Sequence, residues 1–381
     1  MTRALARSRG LHEENRGVYE GGMSTLSEAI ERRLQAIHRQ YDSHFAGQAR
    51  VTRDPGLLDA MLEELAGVAP ELEGLSEEER APLSDLLAER RALYEGEAQS
   101  IRETLADPEA LEAHRVQTWV EVNRWRYDRH FAGHNRLSRD LGLLAEMTED
   151  LARAEREYSE LSAGAGDGPD QQRGFVRDQL VLYGRERAAI TSGRAEATLE
   201  SQAGAMAQMA NDCFQVYRAH FAGKSRISRR PALLERVVGT LEDAKTTMEA
   251  LRASGLEDEQ LEKNLEVVGT NLQQYTSELD AVRRAKSESR IGALIEALAD
   301  TANGLFAEYQ EHFAGQQRTT RDRDLLARII EGLYDIGRQM EDLQKLGELQ
   351  ANTQNLRIVL DRLRVYLRED EQVAGAQRGS D

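Results

Sequence analysis

Four stretches of this chain line up without a gap: YDSHFAGQARVTRDPGLL from Tyr41, YDRHFAGHNRLSRDLGLL from Tyr127, YRAHFAGKSRISRRPALL from Tyr217 and YQEHFAGQQRTTRDRDLL from Tyr309. They share the pattern Y-x-x-H-F-A-G-x-x-R-x-[ST]-R-x-x-x-L-L. Their histidines, His44, His130, His220 and His312, stand 86, 90 and 92 residues apart. Self-similarity at so even a period means that one structural unit is built four times, and it constrains the fold more than any local signal does. We number these units copies 1 to 4 along the chain.

Each copy reads as three helices. Apolar residues run into the motif at steps of three and four: Leu26, Ile30, Leu34, Ile37, Tyr41 and Phe45 in copy 1, and Ile291, Ile295, Leu298, Ala302, Leu305, Tyr309 and Phe313 in copy 4. That spacing places them on one helix face. A second helix opens at the double leucine, as in Leu234, Val237, Leu241, Ala244, Met248 and Leu251. A third follows, as in Leu261, Leu265, Val268, Leu272, Tyr275, Leu279 and Val282. The seam is heptad-like and suits shallow crossing angles. Turn-forming residues separate the second and third helices at Pro70 to Ser76, Gly164 to Asp170 and Ser254 to Glu257.

The junctions between copies carry weaker signals. Asp107 before Pro108 fits a helix start, and Ser192-Gly193 loosens the second junction. Between Asp258 and Phe313 no strong break appears, which predicts one helix about 80 Å long. The expected fold is therefore all-α: an elongated tandem array of four three-helix units, at residues 23–106, 107–194, 195–286 and 287–368. A disordered lead, 1–22, and tail, 369–381, flank it, and Met23 is an alternative start. Three helices per unit, the third running into the next unit, is similar in outline to the spectrin-type repeat, a likeness that no sequence motif carries. A helical solenoid that turns at every junction is the alternative.

Composition narrows the function. The formal net charge of -17 argues against wrapping a nucleic-acid backbone. The single cysteine, Cys213, sits on an apolar stripe; it excludes an internal disulfide and a thiolate cluster, and a buried thiol is expected. No apolar run approaches the roughly 18 residues of a membrane span, and Met1 to Gly22 has no hydrophobic centre of a signal peptide. The expected location is the cytoplasm. The dominance of Arg over Lys points to a GC-rich, bacterial genome.

The motif itself joins a helix stop to a helix start. Gly47 and its equivalents fit a left-handed C-terminal cap. Thr52, Ser138, Ser228 and Thr320 are placed as N-caps of the second helix. Capping alone does not call for a histidine and two arginines in every copy. The candidate site is accordingly His44, Arg50, Thr52 and Arg53; His130, Arg136, Ser138 and Arg139; His220, Arg226, Ser228 and Arg229; and His312, Arg318, Thr320 and Arg321. Two readings stay open. In one, these groups bond to helix-end carbonyls or neighbouring carboxylates and fix the turn. In the other, forked arginines at a helix start bind an anionic group.

Copy 3 departs from the rest by carrying Arg230 where the others have Asp54, Asp140 and Asp322. Trp119 fits the core and Trp125 is expected exposed. His12, His38, His114 and His134 follow no pattern and are expected in solvent. One regular histidine per copy with no carboxylate at ligand spacing does not make a metal site, and no cofactor or catalytic motif is present. The expected function is a non-enzymatic scaffold offering four equivalent sites to a protein partner or to itself. The alternative is a multivalent binder of a small anionic ligand or acidic polymer.

Overall fold

The computed structural model describes residues 25–45, 53, 55–162, 168–313, 315–347 and 350–378. Among these residues the chain is all-helical, with twelve α-helices and no strand. Copy 1 contributes α1 (Thr25–Phe45), α2 (Pro55–Ala66) and α3 (Glu77–Ala106), and copy 2 contributes α4 (Pro108–His130), α5 (Leu141–Ser162) and α6 (Gly168–Glu196). Copy 3 holds α7 (Leu199–His220), α8 (Pro231–Ala253) and α9 (Glu259–Glu288). Copy 4 holds α10 (Ile291–Phe313), α11 (Arg323–Gln344) and α12 (Gln350–Arg378). The chain divides into two compact units, residues 1–111 and 112–381.

In the first unit, Ile30, Leu34, Ile37 and Phe45 of α1 meet Leu58, Met61 and Leu65 of α2 and Tyr94, Ala98 and Ile101 of α3. Burying one such side chain stabilises by about 1.5–3 kcal/mol, which is why the 3.6-residue stripe dictates the packing. The second unit has three apolar clusters. One joins α4, α5 and α6 through Val116, Phe131, Met147 and Tyr183. Another joins α7, α8 and α9 through Ala210, Leu234, Leu241 and Val268. The third joins α10, α11 and α12, and it also takes in Trp119 and Val122 of α4.

Every junction between copies is broken. Asp107 accepts from the N–H groups of Glu109 and Ala110 at 3.0 and 3.3 Å, starting α4. At the second junction the helix runs through Gly193 to Glu196, and the break falls at Thr198, whose side chain accepts from Ser201 N. The expected 55-residue continuity after Asp258 also fails. Ser289 is extended (ψ 145°), and its hydroxyl takes the Ala285 carbonyl of the helix it ends. At the far end, α12 runs through Arg378, with Glu369, Asp370 and Val373 buried, where a disordered tail was expected from residue 369. The lead, 1–22, lies outside the described residues.

Within the second unit the copies do not lie end to end as the array reading expected. Copy 4's α11 is buried along most of its length, including Asp335, Arg338, Gln339 and Glu341. Its apolar face packs in its own copy, and its polar face is covered by copies 2 and 3. Trp119 lies edge-on to Tyr334 with ring centroids 5.7 Å apart. A Cβ on Gly337 would sit 2.6 Å from Trp119, so that glycine permits the close approach.

Candidate functional site

The turn after the first helix is built alike in copies 2, 3 and 4. Gly133, Gly223 and Gly315 have φ of 76°, 74° and 75°. A Cβ there would meet nothing within 4 Å, so the left-handed conformation, and not space, selects glycine. The N–H groups of Ala132 and Ala222 donate back to the carbonyls of Tyr127 and Tyr217 and close the helix. One 3-10 turn follows: Arg136–Ser138, Arg226–Ser228 and Arg318–Thr320.

The hydroxyl residues do not cap the second helix as the sequence suggested. Ser138, Ser228 and Thr320 donate to the carbonyls of Asn135, Ser225 and Gln317, three residues back, at 3.1, 3.1 and 3.0 Å. They close the 3-10 turn, and extended residues (Arg139, Arg229, Arg321) separate them from the next helix. Asp140 and Asp322 cap that helix instead. In copy 3 α8 opens on Pro231, which has no N–H to satisfy. In copy 1, Gly47, Arg50 and Thr52 lie outside the described residues.

A glutamate on the third helix pairs with the second arginine of the motif in every copy. Arg53, Arg139, Arg229 and Arg321 pair with Glu97, Glu186, Glu278 and Glu369. Each glutamate follows by three residues a tyrosine that stacks on the motif tyrosine: Tyr41–Tyr94 at 4.8 Å between centroids, Tyr127–Tyr183 at 4.9 Å, Tyr217–Tyr275 at 3.9 Å and Tyr309–Tyr366 at 4.0 Å. Sequence reading missed this Tyr-x-x-Glu pattern, although aligning the third helices of the copies reveals it. The same arginines also donate to turn carbonyls: Arg139 to His134 at 2.8 Å, Arg229 to Lys224 at 3.0 Å and Arg321 to Gln316 at 2.9 Å.

Eleven residues beyond the stacked tyrosine a long side chain completes the tie in three copies. Arg194 donates to Leu137 O at 2.8 Å, Lys286 to Ile227 O at 2.8 Å and Gln377 to Arg321 O at 2.9 Å. Burial pushes the Lys286 ammonium down to about 8.

In copies 2, 3 and 4 the first arginine of the turn stays outside. Arg226 reaches the same Glu278 with Nε and Nη2 at 3.0 and 3.1 Å. Its hydrogen bond is the largest influence holding that carboxyl below its usual range, against a desolvation cost and with help from Arg229. Arg318 treats Glu369 likewise at 3.2 and 3.3 Å, and Arg136 Nε lies 3.9 Å from Glu186. The side chains of Arg136, Arg226 and Arg318 are 55%, 55% and 51% exposed, against 11% for Arg139, Arg229 and Arg321. Exposed residues run along the turn, from Ala132 to Arg136 and Gly315 to Arg318, while within Ala222 to Arg226 of copy 3 only Lys224 is partly covered.

The histidines divide. His130 Nε2 lies 3.0 Å from Glu331 and His220 Nδ1 2.9 Å from Asp335, both on α11, whereas His44 and His312 are exposed. The two contacts belong to a buried ionic network that sequence reading did not anticipate. Arg126, fully buried, sits 4.3 Å over the Tyr334 ring and reaches Glu331 and Glu146. Arg230 pairs with Glu146 and Asp335, and Arg338 with Asp150 and Glu341. Tyr334 donates to Asp150 at 2.6 Å and Trp119 to Glu341 at 2.7 Å. Burial disfavours the charge on Glu146 and Glu331, but Arg126 and the neighbouring cations outweigh it and hold both carboxyls well below their usual range.

Three further residues expected in solvent are engaged. His38 is half-buried, stacks on Tyr41 and has Nδ1 3.3 Å from the Tyr94 hydroxyl. His114 is buried and accepts from Arg364 at 2.8 Å, and the half-buried Trp125 donates to Asp370 at 3.1 Å. Cys213 is buried, and desolvation raises its thiol to about 12. Among the described residues no group of three or more His, Cys, Asp or Glu is arranged to hold a metal ion, and no helix is long and apolar enough to cross a membrane. Compared with known proteins, the chain matches no family model, no curated protein and no solved structure.

Proposed function

We propose that this chain is a non-enzymatic scaffold or structural interaction protein. In this reading it is a tandem array of four three-helix units that offers equivalent turns to a protein partner or to another copy of itself. One observation carries the proposal: in copies 2, 3 and 4 the Gly-x-x-Arg stretch keeps the same left-handed glycine and a half-exposed arginine, while the recurring groups behind it are spent on holding it. A feature held alike in three copies, yet facing solvent, is suited to a repeated contact. Weak contacts at several copies combine by avidity where the partner's spacing matches.

The test is photo-crosslinking in the native host, with a photoreactive residue at Asn135, Ser225 or Gln317, and at Arg187 or Gln274 on third helices as controls. The expected result is one common crosslinked partner from all three turn positions and little from the controls. Equal crosslinking at the controls, or unrelated products from the three turns, contradicts the proposal.

A further inference from the structure

We infer that each turn is a receptor for a carboxylate, and that the partner surface it fits is a protein helix bearing Asp or Glu. This rests on the turn being the partner-binding surface and adds the chemistry of the contact.

Two arginines share one glutamate in the turns of copies 2, 3 and 4, so that glutamate neutralises only one of the two guanidinium groups; Asp140 and Asp322 beside the inner arginines are engaged as helix caps. The chain's formal net charge is -17, but at physiological ionic strength charges are screened beyond roughly 8 Å, so a group at the turn responds to the outer guanidinium more than to the distant acidic surface. The inner arginine is enclosed. The outer one engages its glutamate through the Nε side, as the Arg226 and Arg318 contacts show, and this leaves the terminal edge of the guanidinium as its exposed part. A guanidinium has two edges that match a carboxylate with paired donors. One edge is occupied by Glu278 or Glu369, which fixes the plane of the group and lowers the ordering cost of filling the other.

The chain already uses this chemistry between its own copies. Arg230, next to the locked Arg229 in the turn of copy 3, reaches Glu146 on α5 at 2.9 Å and Asp335 on α11 at 3.3 Å. A turn arginine meeting carboxylates on a neighbouring helix is thus a docking mode that this protein employs internally.

The probe is a fluorescein-labelled, end-capped helical peptide of Glu-Ala-Ala-Ala-Glu repeats, titrated with the full chain at about 0.15 M salt and read by anisotropy. Binding is expected, and replacing Arg50, Arg136, Arg226 and Arg318 together by Gln is expected to weaken it by at least about tenfold. The same four changed to Lys give an intermediate loss, because charge remains and the fork does not. Melting of both variants stays near that of the parent, since the inner arginines still hold the turns. No binding, or binding unchanged by the Gln variant, overturns the inference. If the turn crosslinks persist while the peptide does not bind, the turn is the partner surface and the carboxylate is wrong; if both fail, the scaffold reading falls with it.

Discussion

Arg229 and Arg230 are neighbours in the chain and serve opposite purposes. Arg229 has an equivalent in every copy and stays within its own, pairing with Glu278 on the third helix. Arg230 stands where the other copies have aspartate, and it leaves its copy to meet Glu146 of copy 2 and Asp335 of copy 4. The same division separates the repeated turn from the buried network around α11. The arginine and tyrosine pairs that recur build the copy; residues that break the recurrence, such as Trp119, Arg126, Arg230 and Arg338, build the junction between copies, where the recurring His130 and His220 join them. Groups that all repeats share cannot by themselves specify a unique neighbour, and a buried ionic network is one means by which packing partners are chosen.

The largest effect expected from this contrast is at Arg126. Changing it to Ala leaves Glu331 with His130 and Glu146 with Arg230 and Arg236, removes the cation from a site with 1% exposure, and costs about 3 kcal/mol in urea unfolding of the second unit. A loss below about 1 kcal/mol breaks the claim that the network holds the junction.

A smaller effect lies at Lys286, which bridges Ile227 O and Gln339 Oε1 between copies 3 and 4. Its ammonium is held at about 8 when folded, against about 10.4 in an unfolded chain. Between those values the unfolded state carries a proton that the folded state does not, so stability rises with pH. From pH 8 to 10 the gain is on the order of 2 kcal/mol. Urea midpoints at the two pH values measure it, and Lys286→Met removes the slope; a slope that survives assigns the effect to other groups.

The smallest effects sharpen the equivalence of the turns. Glu186→Gln, Glu278→Gln and Glu369→Gln each cost about 1–2 kcal/mol, because each leaves a charged donor with a poorer acceptor. Costs that differ several-fold between the three contradict a common lock.

The helices, their apolar faces and the glycine stops were legible because they follow from local periodicity and from a conformation that glycine alone takes easily. The Tyr-x-x-Glu lock was legible too, in the third helices, and was overlooked because the motif in the turn drew the attention. The caps were misassigned because Ser138 and Asp140 are both competent N-caps, and only the intervening extended Arg139 decides between them. The junction was not legible. His114 and Trp125 looked solitary because their partners, Arg364 and Asp370, lie about 250 residues away in sequence, and departures from a repeat do not say which other departures they meet.

The most direct test of the division is native-state hydrogen exchange on Arg230→Asp, which restores the residue that the other three copies carry. The expected result is that α11 exchanges faster while the hairpin of α7 and α8 keeps its protection. Loss of protection in that hairpin with α11 unchanged contradicts the account.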